Sequence, residues 1–265
     1  MALKIEKIRE DKKNNKIVLL LKGISDVYAN TIRRLIIEEV PTLAVEDLEI
    51  KDNNSALYDE MLALRLGLIP IKTDLKSYNL KANCKCGGEG CAQCELKISL
   101  KSSKKGYVYA GEAQSSDPNC TFVQEEMLVV KLLSKQKIQV NMTAVLGQGK
   151  DHAKWSPGWA FYKHEPVVKL GKVKNPELIA KKSTDGVFVL KDKKLELVED
   201  KVYDSLLLDY YTELDEGVVV DYTDNIIFTL ESWGQLKNKE ILIKSTEMLL
   251  EKIESLEKQI SNSPD

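Results

Sequence analysis

Four cysteines within eleven residues constrain the fold of this 265-residue chain more than any other local feature. The segment reads Cys84-Lys-Cys86-Gly-Gly-Glu-Gly-Cys91-Ala-Gln-Cys94. Four thiolates at this spacing can surround one metal ion tetrahedrally, with Zn–S bonds of about 2.3 Å. The glycines between the two pairs allow the backbone to turn so that both pairs face inward. We therefore predict a closed, structural zinc site, with Lys81 and Lys85 offsetting part of its negative charge.

The cellular compartment bears on what these thiols can do. No segment reaches eighteen consecutive apolar residues, and Met1 to Glu10 lack the apolar core of a signal peptide. We therefore expect a cytoplasmic protein without a membrane span, in a compartment that keeps thiols reduced. Disulfide bonding, which is strained for a Cys-X-Cys pair, and iron in place of zinc stay open as alternatives for the cluster. The lone Cys120 is expected to be a packed side chain rather than a nucleophile.

Charge argues against a protein that grips nucleic acid directly. Lysine and arginine total 39 against 41 aspartates and glutamates, for a net charge of −2. Of the four arginines, Arg33, Arg34 and Arg65 fall in two predicted helices. The planar guanidinium suits interfaces and paired carboxylates better than the lysine ammonium does. These helices are therefore candidates for contacts with partner proteins.

Apolar periodicity predicts a hairpin and then a helix near the start of the chain. The hairpin covers residues 3–21, and the helix runs from about Asp26 to Glu39. Pro41 stops it, because the residue before a proline is pushed out of the helical region. The pattern from 80 to 172 is that of β-strands, and between 138 and 144 apolar residues alternate with polar ones. Further strands are predicted near 187–190, 218–220 and 226–230.

A second helix is predicted between residues 54 and 67. Asn54 or Ser55 should cap its start, and Gly67 should supply the left-handed residue past its end. Its buried stripe is predicted to comprise Leu57, Met61 and Leu64.

The last predicted helix, from about Lys237 to Ile260, carries a heptad seam. Apolar or small residues recur at spacings of four and three, at Leu242, Thr246, Leu249, Ile253, Leu256 and Ile260. A seam sustained over almost three heptads favours packing against another helix. An ordinary core helix is the alternative. Its length favours contacts with a partner chain, through Leu242, Leu249, Ile253 and Leu256.

The loop predicted from Gly147 to Phe161 holds His152 and Trp155. A catalytic site would need a nucleophile and an orienting carboxylate beside the histidine, and the sequence nominates neither. The glycines of the loop also lack the spacing of a phosphate-binding motif. We therefore predict a rigid loop in which His152 and Trp155 contact a partner, and no catalytic residue in the chain.

Three stretches carry a resemblance to the α family of RNA polymerase subunits. They are Asn30-Thr-Ile-Arg33-Arg34 with residues 40–46, the stretch from Asn53 to Pro70, and His152-Ala-Lys-Trp155 with Pro157. Together they span most of residues 20–160. In overall layout the chain is most similar to archaeal members of that family.

The resemblance implies an α+β fold with a discontinuous, α-type dimerisation domain. That domain would comprise residues 1–40, 158–172 and 222–265. Residues 41–157 would form an inserted β-rich domain that carries the four-cysteine loop, and residues 173–221 would form a small, degenerate ferredoxin-like module.

The resemblance also implies a function. The chain would be a non-catalytic platform that pairs with the small polymerase subunit L and docks on the second-largest subunit and on the small subunits N and P. Asn30, Arg33 and Arg34 would belong to these contacts, and DNA would be reached only through the complex.

One module departs from the family pattern. Many members carry cysteine ligands for iron–sulfur clusters in this insertion, whereas residues 173–221 contain no cysteine. Ser183 and the stretch 204–214 stand where ligands are expected. We therefore expect no iron–sulfur cluster.

Two other functions remain as competitors. A zinc-dependent nucleic-acid-binding protein would need aromatic and basic residues interleaved near the cysteines, and that region offers lysines but only Tyr78 and Tyr107. An enzyme with a catalytic thiol at Cys120 would need a base that the sequence does not identify.

Overall fold

The computed structural model describes residues 3–262, so the outermost residues of the predicted ranges 1–40 and 222–265 lie outside the described part. The described strands are β1 (Lys4–Asp11), β2 (Lys16–Lys22), β3 (Thr42–Asn53), β4 (Glu95–Ser102), β5 (Gly106–Tyr109), β6 (Gln114–Ser115), β7 (Leu128–Leu132), β8 (Ile138–Gly147), β9 (Gly158–Leu170), β10 (Phe188–Lys191), β11 (Lys194–Leu197) and β12 (Val218–Ser232). The α-helices are α1 (Asp26–Glu38), α2 (Asp59–Gly67), α3 (Pro176–Lys182), α4 (Glu199–Val202), α5 (Leu208–Leu214) and α6 (Asn238–Ser261). This mixture is consistent with the α+β prediction. Within residues 3–262 no helix has the length and apolarity needed to cross a bilayer.

The chain divides into two compact units. The first comprises residues up to 9, 18–29 and 161–229, and the second comprises 10–17, 30–160 and residues from 230 onward. Neither unit coincides with one of the three domains predicted from the sequence, and that division stays a prediction.

The second unit is built around the antiparallel sheet β3-β8-β4-β6. The alternation predicted for β8 is confirmed, because Ile138, Val140, Met142 and Ala144 are all buried on one side of the strand. These side chains join one apolar cluster with Leu62 and Leu66 of α2 and with the inner face of the two-stranded sheet β5–β7. The strand β8 continues to Gly147, so the loop predicted to begin there is shorter than expected.

The prediction for α2 is wrong in its register. The helix begins at Asp59, after Tyr58, which makes no side-chain capping bond. Asn53 instead binds the preceding turn, because its Nδ2 donates to the backbone oxygen of Leu57 at 2.9 Å. Leu62 and Leu66 pack into the apolar cluster, whereas the predicted stripe residues Met61 and Leu64 are exposed. Gly67 is the last helical residue and does not adopt a left-handed conformation.

The first unit holds most of the strands β1, β2, β12 and β9, which pair in that order. The predicted N-terminal hairpin is confirmed by β1 and β2. Val18, Leu20 and Ile227 form the apolar cluster between the strands. Where the sequence predicted two strands near 218–220 and 226–230, β12 runs through both as one.

A smaller module between β9 and β12 belongs to the same unit. It packs α3, α4 and α5 with the β10–β11 hairpin around Ile179, Phe188 and Tyr211. The rings of Phe188 and Tyr211 meet edge to face, with centroids 5.0 Å apart. The strands predicted near 187–190 and 218–220 are present, but none of the three helices, each of which has seven residues or fewer, was predicted.

Asp185 organises the polar interior of this module. Its carboxylate accepts hydrogen bonds from Ser183 Oγ at 3.0 Å, from Tyr211 Oη at 2.8 Å and from Ser205 Oγ. Ser205 and Tyr211 are buried. Burial opposes ionisation, but these hydrogen bonds outweigh it and hold the pKa of Asp185 below its usual value.

Asp185→Ala should lower the free energy of unfolding by about 1–3 kcal/mol at neutral pH, because two buried hydroxyls lose their acceptor. Since the folded-state pKa is depressed, this contribution is present above the unfolded pKa of about 3.9 and is lost as the pH falls through the folded value. Urea titrations from pH 7 to pH 3 should therefore show the two proteins converging. Asp224→Ala, which removes an exposed carboxylate of β12, is the matched control and should change little. Equal stability of the Asp185→Ala variant and the unmodified chain at pH 7 would contradict this role.

Candidate partner interface and metal centre

The four predicted ligand cysteines converge on one point. Cys84, Cys86, Cys91 and Cys94 place their sulfurs within 4.8 Å of one another. The Sγ atoms of Cys84 and Cys91 are 3.6 Å apart, as are those of Cys86 and Cys94, and all four thiols are free. Sulfurs at the corners of a tetrahedron with metal–sulfur bonds of about 2.3 Å are about 3.8 Å apart. The site therefore has the dimensions of a tetrathiolate metal centre.

Glycine backbone shapes this loop, as predicted. Gly87, Gly88 and Gly90 have φ values of +68°, +90° and +100°, which side chains larger than hydrogen rarely adopt. The backbone of Gly90, the neighbouring thiol of Cys84 and the backbone of Gly88 lower the pKa of the Cys86 thiol to about 6. Burial raises the pKa of Cys94 to about 12. A bound cation would supply the charge that keeps the buried thiolate ionised.

The charge around the loop differs from the expectation for Lys81. Its ammonium group lies 2.8 Å from Glu95 Oε1 and is thus shared with that carboxylate. Lys97 contacts the other oxygen of Glu95 at 2.7 Å. Lys85 is exposed. Sequence reasoning missed Glu95, because the residue directly after the last cysteine gave no sign that it approaches Gly90.

The fifth cysteine lies apart from the metal loop. Cys120 is fully buried in the apolar cluster of the second unit, and burial raises its pKa to about 11. A thiol in this state is protonated and shielded at neutral pH, so it is a poor nucleophile. The burial of Cys120 therefore disfavours the hypothesis of an enzyme with a catalytic thiol at this position.

The arginines of α1 are held within their own helix. Arg33 donates to Asn30 Oδ1 from both Nε, at 3.0 Å, and Nη2, at 2.9 Å. Arg34 is more exposed and makes two bonds of 3.1 Å with the carboxylate of Glu38. Asn30 and Arg33 are thus preorganised together, whereas Arg34 is accessible from solvent.

The loop after β8 completes the end of α1. The last carbonyls of a helix have no partner inside it. Here Lys150 N donates to Glu38 O at 2.8 Å, and Gln148 Nε2 donates to Glu39 O at 2.9 Å. A Cβ atom on Gly149 would lie 1.9 Å from the oxygen of Ile37. The small residue at 149 was the one sequence signal of this close approach.

Trp155 fixes the far end of the same loop. Its ring is buried, its Nε1 donates to Val145 O at 3.2 Å, and its backbone oxygen accepts from Thr42 Oγ1 at 2.7 Å. The indole ring therefore packs and forms its hydrogen bond within its own chain. His152 is exposed, and its Nδ1 accepts from Lys154 N at 3.0 Å.

The seam of α6 remains largely uncovered in this chain. The helix spans the predicted range within one residue and buries Ile241 and Ser245. Leu242 and Leu249 are half-buried, while every residue from Leu250 to Asn262 is exposed. Ile253, Leu256 and Ile260 are each more than half exposed. The face that α6 turns to its own chain is thus adjacent to the heptad seam and distinct from it.

An ion pair joins α6 to the end of α1. Lys252 Nζ contacts the carboxylate of Glu39, whose backbone oxygen is bound by Gln148. The structure therefore brings together the end of α1, the loop after β8 and α6. It does not bring the cysteine loop into a contact with these residues.

Comparison with known proteins finds similarity to one group of RNA polymerase subunits. A model of the RNA polymerase Rpb3/RpoA insert domain matches residues 48–158. The DNA-directed RNA polymerase subunit Rpo3 of Methanosarcina mazei is 34% identical over 242 residues, which cover 89% of this chain and 91% of that protein. The Rpo3 subunit of Archaeoglobus fulgidus is 32% identical over 262 residues, covering 94% and 96%, and that of Pyrococcus horikoshii is 32% identical over 255 residues, covering 95% of each.

We expect elemental analysis of the chain, purified without chelator, to find about one metal ion per molecule. Cys91→Ser should lose most of it, because a hydroxyl replaces one of four thiolates. Cys120→Ala is the control, since it removes the cysteine outside the loop, and it should keep its metal. Full metal content in the Cys91→Ser protein would disprove the assignment.

Gly149→Ala should cost about 1–3 kcal/mol of stability, because the added methyl group meets the Ile37 carbonyl and displaces the loop. Gly67→Ala is the matched control. A Cβ atom there meets only Val45 O at 3.7 Å, and alanine is the better helix former, so thermal unfolding should be unchanged or shifted upward. A neutral Gly149→Ala variant would show that the loop does not pack against α1 in solution.

Proposed function

This chain belongs to the Rpo3 family of archaeal DNA-directed RNA polymerase subunits, the α-like subunits of that enzyme, and we propose that it serves there as a non-catalytic assembly platform. The catalysis of nucleotidyl transfer would belong to other subunits. The observation that carries the proposal is the uncovered seam of α6, which supplies a surface for a second chain.

The first step of assembly would be a heterodimer with the small subunit L. The seam residues Leu242, Leu249, Ile253 and Leu256 would pack against a helix of that partner. Each Leu or Ile that becomes fully buried contributes roughly 1.5–3 kcal/mol, so several together can support a stable pair. A helix with three exposed turns and an apolar stripe is otherwise unfavourable in water.

The second step would dock this pair on the second-largest subunit and on the small subunits N and P. Asn30, Arg33 and Arg34 of α1 would take part, together with the exposed His152. Arg34 could exchange its intrahelical carboxylate for one on a partner, and a guanidinium binds a carboxylate through two parallel bonds. Trp155 would act indirectly, because it holds the loop that presents His152.

Zinc is the metal we propose for the cysteine loop. Four thiolate ligands without an open position are typical of structural zinc, and the ion would order the loop that leads into β4. We expect no iron–sulfur cluster in residues 173–221, which offer no thiolate. The working place of such a polymerase subunit would be the cytoplasm, and DNA would be reached only through the assembled enzyme.

Leu249→Asp with Ile253→Asp should abolish co-purification with recombinant subunit L, because the two carboxylates would have to be buried in an apolar seam. Val189→Asp with Leu190→Asp is the control, since it places two aspartates at exposed apolar positions of the small module. That pair should leave heterodimer formation unchanged. If the α6 variant still forms a normal heterodimer, the proposal that the seam of α6 packs against subunit L is wrong.

Arg33→Ala with Arg34→Ala should spare the heterodimer and weaken docking on the second-largest subunit. Size-exclusion chromatography of the reconstituted subunits separates the two steps. If the arginine variant instead loses subunit L and keeps the larger contact, the assigned order of surfaces is reversed.

A further inference from the structure

Strands β5 and β7, which β6 separates in the chain, form an antiparallel two-stranded sheet. Its outer side, called the hairpin face below, carries two tyrosines. Tyr107 and Tyr109 alternate along β5 with Val108, which is buried, so both rings point away from the apolar cluster. Tyr107 is 54% exposed and Tyr109 is 40% exposed. Their centroids are 6.3 Å apart and the ring planes are tilted by 46°. Aromatic faces of this kind are available for stacking.

Lysines surround these two rings. Tyr107 of β5 is paired with Lys131 of β7, and Lys131 Nζ lies 4.9 Å from the centroid of the Tyr107 ring. Lys104 and Lys105 occupy the turn that leads into β5 and are exposed. The hairpin face therefore combines two exposed rings with three ammonium groups.

A cavity of about 340 Å³ lies beside the rings. It is lined by Ser102, Lys104, Lys105, Tyr107, Tyr109 and Glu112 and by the backbone at Gly106. The carboxylate of Glu112 is engaged, because it accepts a hydrogen bond of 2.8 Å from Tyr109 N. Among the residues that line the cavity and the hairpin face, positive charge exceeds negative charge.

We propose that this hairpin face binds single-stranded nucleic acid directly, independently of the assembly role. The expectation that DNA is reached only through the assembled enzyme would then hold for duplex DNA. Bases would stack on Tyr107 and Tyr109, and phosphates would contact Lys104, Lys105 and Lys131. Aromatic rings interleaved with cations are the chemistry that recognises a single strand without sequence preference. A duplex would not offer its base faces to the rings. The chain as a whole has a net charge of −2, so attraction to phosphates is confined to this local patch of lysines. Because the lysines contact phosphates, the affinity should fall as the salt concentration rises.

Fluorescence anisotropy of the full chain with a fluorescein-labelled oligothymidine tests this proposal. Tyr107→Ala with Tyr109→Ala should weaken binding by at least about tenfold, given the strength of base–aromatic stacking, and leave the salt dependence unchanged. Tyr107→Phe with Tyr109→Phe keeps the rings and should bind as the unmodified chain does. This second pair separates loss of stacking from loss of folding.

The lysines have a different signature. Replacing Lys104, Lys105 and Lys131 with alanine should lower the slope of log Kd against log salt by about two, because each neutralised phosphate of a single strand contributes about 0.7. Tyr58→Ala and Lys12→Ala with Lys13→Ala are the controls, as they remove exposed residues of the same types elsewhere in the second unit. Both controls should bind normally.

Four results would overturn the proposal. They are no binding by the unmodified chain at low salt, unchanged binding after loss of both tyrosine rings, a duplex of equal length that binds as tightly as the single strand, and displacement of the oligonucleotide by polyglutamate as readily as by unlabelled oligothymidine. The last result would assign the face to acidic peptides.

Discussion

The carbonyls at the end of α1 need hydrogen-bond donors, and the way they find them joins three distant parts of the second unit. Pro41 follows the helix closely and no glycine turns the chain back, so the helix cannot complete its own end. Lys150 and Gln148 supply the donors from the loop after β8. Two glutamates, Glu38 and Glu39, also stand at this end, where the helix dipole disfavours negative charge. Arg34 and Lys252 offset them. The position of α6 relative to α1 is thus linked to the closure of one helix terminus.

Regular apolar periodicity predicted the elements that are long and packed on one side. The first hairpin, α1, β8 and α6 were located within a few residues, because each repeats its pattern over several turns or alternations. Short elements were not predicted, because a helix of four residues such as α4 is too short to show a periodic pattern. The start of α2 was predicted too early because Asn53, outside the helix, holds the preceding turn, and the buried face proved to be that of Leu62 and Leu66. A side chain that acts across a loop leaves no periodic signal.

The candidate site shows the same division. The cysteine loop was predictable because its ligands are neighbours in sequence and its glycines must take left-handed conformations. The contact of Lys252 with Glu39 joins residues 213 positions apart, and nothing near either residue announces the other. Tyr107 was noticed without Tyr109, because only the pairing of β5 with β7 turns both rings and Lys131 to one face. Trp155 looked like a contact residue, yet its indole N–H is used by Val145 inside the chain.

The cysteine loop and the seam of α6 differ in the kind of partner that would stabilise them. The cysteine loop gathers all four sulfurs from one short segment, so an ion can order it within a single molecule. The α6 seam has no covering residues over its last three turns in the described part of the chain, so in the proposed assembly a second chain would bury it. Stability that comes from such burial depends on partner concentration, whereas stability from the metal depends on metal supply. Lys252 lies on α6 and contacts Glu39 at the end of α1. In the proposed assembly, this ion pair would link the seam of α6 to the helix that carries Arg33 and Arg34.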